Sequence, residues 1–336
     1  MLRLQSALAV LLLLSACKTE PAATEPAAPA AKEAQPAAAP AAAAPVAMPV
    51  PAPINVRDAG LATPESVLYD ETADVYLVSN INGAPDAVDN NGFISKVSPE
   101  GKVLELKWIA GGEKGVKLDA PKGTAIVGDV LWVADIKTLR MFDAKTGAPK
   151  GEVKIPKATF LNDVVAGKDG AVYVSDTGVK TGKDGFVPTG SDAVYVVKPG
   201  KKLKAEALIA KKDLGGPNGL AFVGDALVVN TLTSGEVFAL DQAGKRTDMP
   251  KPPTGGLDGI VPLAAGGFLV SSWGGQKIYK SKTDGYDVVA SDLEAPADIG
   301  FDAKHRRILV PLFTKNELVL LPFGEPGQSD KVSSVK

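Results

Sequence analysis

After residue 60 the apolar residues come in short unbroken runs rather than at helical intervals. Val75-Tyr76-Leu77-Val78, Leu131-Trp132-Val133-Ala134, Val172-Tyr173-Val174, Leu227-Val228-Val229, Phe268-Leu269-Val270 and Ile308-Leu309-Val310 are rich in β-branched and aromatic residues, which strands prefer. They are too short and too continuous for amphipathic helices. Turns with Gly or Asp precede most of them, as at Gly128-Asp129, Lys168-Asp169-Gly170 and Gly224-Asp225. Such residues suit hairpin loops that need positive φ. Third strands follow, for example Phe93-Ile94-Ser95-Lys96-Val97 and Val237-Phe238-Ala239-Leu240.

One event opens each group of strands: a turn ending in Pro or Leu, one small or polar residue, then an apolar run. The six starts are Thr63-Pro64-Glu65-Ser66, Ala120-Pro121-Lys122-Gly123, Phe160-Leu161-Asn162-Asp163, Gly216-Pro217-Asn218-Gly219, Gly256-Leu257-Asp258-Gly259 and Ala295-Pro296-Ala297-Asp298. Their third positions are 57, 40, 56, 40 and 39 residues apart. Strand repeats of that period predict an all-β, six-bladed propeller with four-stranded antiparallel blades. The last repeat is short. Ile54 to Leu61 can supply its missing outer strand, so that N- and C-terminal segments close the ring and remove two free edges.

The chain then divides into a signal segment (1–17), an Ala/Pro-rich disordered stalk (18–53), the propeller (54–325) and a flexible tail (326–336). Arg3, the apolar run Leu8 to Leu14 and Leu14-Ser15-Ala16-Cys17 form a secretory signal too short to span a membrane. Cys17 is the single cysteine of the 336 residues. Its place at the cleavage site resembles a bacterial lipoprotein box and implies lipidation there. By the same resemblance Lys18, in place of Asp, implies the outer membrane, with the propeller facing the periplasm. Pro every few residues between Pro21 and Pro53 favours extended geometry over helix. The net charge of −2 leaves no electrostatic footprint for nucleic acid. Lys201, Lys202, Lys204, Lys211 and Lys212 read as a solvated blade edge. The expected partners are a small molecule and, through the lipid alone, a membrane; the expected state is a monomer.

A propeller gathers equivalent positions around one axis. Glu65, Asn162, Asn218 and Asp258 are then oxygen donors aimed at one point, which suits one divalent cation: calcium first, with magnesium or manganese also accepted. Zinc accepts carboxylates but prefers His or Cys. His305 is the single histidine and falls in a turn on the opposite face, which argues against a Ser-His-Asp system. Asp258 can both bind the ion and take a proton from water. Lys122 holds the axial position of blade 2. It can pair with Glu65 or Asp258 and fill the cation's place, or bind an anionic substrate group, with Asp163 and Asp298 balancing its charge. The insertions 80–91 and 177–191 lie on the same face by strand parity, as a lid or as tolerated loops.

These motifs together resemble the senescence marker protein, gluconolactonase and regucalcin family over roughly residues 60 to 323. The resemblance rests on Pro64-Glu65, Asn162-Asp163, Pro217-Asn218-Gly219 and Asp258-Gly259. It implies a metal held by Glu65, Asn218 and Asp258, with Asn162 touching metal or substrate and Asp258 as the base. Phe160 stands where members that act on sugar lactones have Arg, and joins Lys122 and Asp163 as an expected substrate contact. Two functions follow: a metal-dependent hydrolase of a lactone or related ester, or a non-catalytic ligand-binding or scaffolding lipoprotein, with or without calcium.

Overall fold

The computed structural model describes residues 52–324. Cys17, the signal segment, nearly all of the stalk and the tail lie outside the described residues. Every regular element among those described is a strand. Six four-stranded sheets follow one another along the chain, together with one separate two-stranded hairpin. This is the expected propeller.

Each blade runs from an inner strand outwards. In blade 1 the order is Pro64–Asp70, Val75–Asn80, Phe93–Val97 and Val103–Ala110. The second strand of this blade is buried throughout, whereas the fourth is half-buried or exposed until its last two residues. That gradient explains the unbroken apolar runs: second strands are packed on both faces and do not alternate. Blade 6 is completed as predicted. Ile54–Val56 pairs antiparallel with Glu317–Pro322, Ile54 opposite Leu320 and Val56 opposite Leu318. The outer strand is shorter than the expected Ile54 to Leu61.

The core lies between blades rather than on an axis. Leu77 and Ile94 of blade 1 cluster with Leu131 and Phe142 of blade 2. Equivalent clusters fill the other five joints, ending with Val67 and Tyr76 against Leu309 and Leu320. Each blade is a wedge whose two faces are both hydrophobic, and removing one would expose two clusters.

Five inner strands carry a bulge where they start. Pairing shifts at Pro64/Ser66, Pro121/Thr124, Leu161/Val164, Pro217/Leu220 and Leu257/Ile260. A bulge re-aims side chains and leaves backbone groups without ladder partners. Here the second strand supplies the partners. Ser175 Oγ accepts from Asp163 N–H at 2.9 Å and donates to Asn218 C=O of blade 4 at 2.7 Å. Asn230 accepts from Gly219 N–H at 3.0 Å and donates to Asp258 C=O of blade 5 at 2.6 Å. Ser271 accepts from Gly259 N–H and donates to Ala297 C=O, both at 2.8 Å. In blades 3, 4 and 5 one polar side chain thus satisfies the bulge of its own blade and holds the inner strand of the next. Ser175→Ala strands a buried donor and a buried acceptor. It should cost about 1–3 kcal/mol, measured by urea unfolding; a loss within error of zero would show that the bridge is dispensable.

Glycine at the fourth inner position follows from this crowding. A Cβ on Gly219 would lie 2.2 Å from Asp258 O, and one on Gly259 2.1 Å from Ile299 N. Neighbouring inner strands approach too closely for any side chain at these points.

Candidate axial site

The bulges bring Glu65, Lys122, Asn162, Asn218 and Asp258 to the same end of their inner strands. All are buried, at 5%, 1%, 4%, 2% and 4% exposure. Two of the expected donors touch: Asn218 Nδ2 donates to Asp258 Oδ1 at 3.1 Å, and also to Leu257 C=O at 3.1 Å. The other oxygen of Asp258 accepts from Trp273 Nε1 at 2.7 Å. Asn162 Nδ2 donates to Thr177 Oγ1 at 3.0 Å. Both amides therefore spend their nitrogens on protein partners, which leaves their carbonyl oxygens as the atoms for a ligand.

Glu65 differs from the rest. Its Oε2 is buried with no hydrogen-bond donor among the described residues. Its backbone C=O accepts from Asp298 N–H at 2.8 Å, which joins blade 6 to blade 1. Burial holds the Glu65 carboxyl well above the ordinary carboxylate range; the nearby charges of Asp258 and Asp298 add to this and Lys122 opposes it. Burial also raises Asp258, with the charge of Asp298 next in size and the Trp273 and Asn218 bonds opposing. A buried acceptor without a donor, beside like charge, is costly unless a cation or proton compensates it.

Lys122 does not compensate it by contact. Its Nζ donates to Ala120 C=O at 3.1 Å and lies 4.3 Å from the centroid of the Phe160 ring. Burial lowers its pKa, with the charge of Glu65 as the leading opposing influence. The ammonium is turned towards the aromatic wall of blades 2 and 3, and its attraction to Glu65 acts through space. Of the expected substrate contacts, Phe160 forms that wall. Asp163 accepts from Leu220 N–H at 2.7 Å and so ties blade 3 to blade 4.

A hard divalent ion fits the donor chemistry on one observation, the orphaned Glu65 oxygen. Among the described residues no group of three or more His, Cys, Asp or Glu side chains has metal-binding geometry. A centre here would therefore need the amide oxygens of Asn162 and Asn218 as well as the two carboxylates. Oxygen-only donor sets of this kind suit calcium or magnesium.

The long insertions meet over one side of the site. The second is not a plain loop: Val179–Gly182 and Gly185–Pro188 pair as a hairpin. Thr181 donates from both N–H and Oγ1 to the Asp86 carboxylate of the blade 1 insertion, each at 2.7 Å. Phe186 packs edge-on against Phe160, 5.4 Å between centroids. Blades 1 and 3 are thereby clasped across blade 2, above Lys122.

Trp273 and the bridging polar residues were not among the expected site residues. The bridges have a visible sequence signal, the polar ends of the second strands at Ser175, Asn230 and Ser271. Trp273 has none, because its position depends on the turn after its strand. Trp273→Phe keeps the ring but removes the donor to Asp258. Should the axis hold calcium, its affinity should change by about ten- to hundredfold, the worth of one hydrogen bond to a charged group; an unchanged affinity by calorimetry would show that the bond does not steer Asp258.

No family profile matches the chain, and no curated protein matches it. Solved structures do. A putative gluconolactonase is 16% identical with a TM-score of 0.59, over 81% of this chain and 92% of its own. Regucalcin from Agrobacterium tumefaciens, described as a calcium-binding protein, is 17% identical with a TM-score of 0.56, over 83% and 96%. A catalytically inactive histidine-to-alanine variant of virginiamycin B lyase from Staphylococcus aureus, solved with quinupristin, is 14% identical with a TM-score of 0.54, over 81% and 99%. The chain has the six-bladed propeller fold of gluconolactonase- and regucalcin-like proteins. At such identities the likeness shows the fold and leaves activity to the site itself.

Proposed function

We propose that this protein is a divalent-cation-dependent hydrolase of a lactone or related ester, acting at the propeller axis and tethered to the bacterial envelope through Cys17. The observation that carries this reading is Glu65 Oε2, buried without a donor among the described residues and beside a second buried carboxylate. Glu65, Asn162, Asn218 and Asp258 would hold the cation, calcium by preference. A bound divalent cation supplies polarisation of a carbonyl and lowers the pKa of water. Asn218 and Trp273 fix the two oxygens of Asp258, so one lone pair on each stays available to take a proton from water. The raised pKa of Asp258 suits a base more than that of an exposed aspartate would. Lys122 and Phe160 form the wall beside this point, where a cation and a ring can receive the acyl portion of a substrate.

The low exposure of the axial groups favours a second reading, a propeller that binds a ligand or partner without turnover. Hydrolysis of a panel of γ- and δ-lactones and aryl esters separates the two. Turnover lost in EDTA and restored by calcium supports the hydrolase. Calcium binding without turnover of any panel member would leave the binding protein.

A further inference from the structure

The axial end of blade 3 carries a second feature, a basic cleft. Leu161, Asp176, Ala193 and Ala210 stand in register across the blade. Lys211 and Lys212, which follow Ala210, are therefore at the axial end. Lys201, Lys202 and Lys204 precede Ala205, opposite Val197, and stand at the other end. The lysines that look like one cluster in sequence are two groups.

Lys211 and Lys212 join Lys157 around a cleft of about 400 Å³, which also presents Thr159, Thr189 and Ser191. The three hydroxyls form a triangle, with separations of 2.8, 2.7 and 3.1 Å. Among the described residues none of the three ammonium groups makes an ion pair. Asp192, which also lines the cleft, is turned away to accept from Gly216 N–H at 3.0 Å. A smaller hollow of about 180 Å³ adjoins, sharing Lys212 and Asp192, and reaches Thr177. Asp213 lines only that hollow and is the one exposed carboxylate there. Thr177 is the residue that accepts from Asn162.

We propose that this cleft binds a small oxyanion-bearing molecule, a carboxylate or a phosphate ester, with Lys157, Lys211 and Lys212 neutralising the charge and the hydroxyl triangle orienting it. Unpaired ammonium groups around a concave surface favour an anion. Ser191 spends its proton on the buried Asp176 carboxylate, so Thr159 and Thr189 are the hydroxyls that can donate to the ligand, a directional bond that a merely solvated lysine edge lacks. The volume suits a small ligand rather than a polymer. The inference does not depend on chemistry at the axis.

Calorimetric titration of the full chain at low ionic strength, in EDTA, tests it with two probes, inorganic phosphate and citrate. Saturable one-to-one binding of either probe is expected, and the probe that binds identifies the class. The Lys211→Gln/Lys212→Gln double variant should weaken it by at least about tenfold, and Thr159→Val by severalfold. The Lys201→Gln/Lys202→Gln variant, altered at the other end of the blade, should bind as the unaltered chain does. All these positions are exposed or half-buried, and matching thermal midpoints will show that the variants fold. Absence of saturable binding by both probes, or equal weakening in the two double variants, overturns the proposal.

Discussion

Glu65→Gln should make the cation-free protein more stable and, at the same time, indifferent to calcium. Oε2 of Glu65 has no donor among the described residues, and the neighbouring charges of Asp258 and Asp298 disfavour its ionised form. An amide of the same shape stays neutral without having to take up a proton and can donate to those carboxylates. Relief of this kind amounts to roughly 1–3 kcal/mol, a rise of several degrees in thermal midpoint for a chain of this size. The unaltered protein should instead gain about 2.7 kcal/mol when calcium reaches a hundred times its dissociation constant. Asp258→Asn should also abolish the calcium response, and turnover should fall by about 10²–10⁴-fold if Asp258 is the base. Thermal melts with EDTA or calcium read all three effects. A Glu65→Gln protein that is less stable without cation, yet still stabilised by calcium, would remove Glu65 from the centre.

Without cation, stability should fall as pH rises above the ordinary carboxylate range. The sign follows from the direction of the shifts. Glu65 and Asp258 have folded-state pKa values above the usual carboxylate range. Their contribution is complete below the unfolded pKa, near 4, and is lost as pH climbs through the raised values. Lys122 works the other way. Its lowered pKa means that the folded chain holds fewer protons than the unfolded one at alkaline pH, so its share of stability returns only there. On the acid side Asp143 is held at about 2 by bonds from Thr146 and by Lys150, and it loses that support only as pH falls below the ordinary range. Calcium should flatten or reverse that slope, because its binding displaces the retained protons. Melts from the ordinary carboxylate range upwards in EDTA, repeated with calcium, provide the measurement. A midpoint that holds steady or increases with pH in EDTA would show that the two carboxyls are not protonated in the folded chain.

The propeller could be read from the chain because its signals are local and recur. Each blade announces itself by a turn, a Pro or Leu and an apolar run, and the seam at Ile54 follows from counting strands. The identity of the axial residues was legible for the same reason: a fixed offset from each turn puts Glu65, Asn162, Asn218 and Asp258 at equivalent places. What each side chain touches was not legible. Whether Lys122 lay among the carboxylates or turned to Phe160 depends on a rotamer that no spacing encodes. The Asp86–Thr181 clasp joins residues 95 apart in sequence, and nothing local marks either as a partner. The lysines of blade 3 misled through proximity in sequence, because a fourth strand lies between the two groups and carries them to opposite ends.

The seam has a mechanical consequence. Five blades are each continuous in sequence, but the sixth is held together by three facing residue pairs between Ile54–Val56 and Glu317–Pro322. Tension entering through the N-terminal side would peel those pairs one at a time rather than shear a whole sheet. Under load the circle should part there first, and it can snap shut again while the remaining wedges keep their shape.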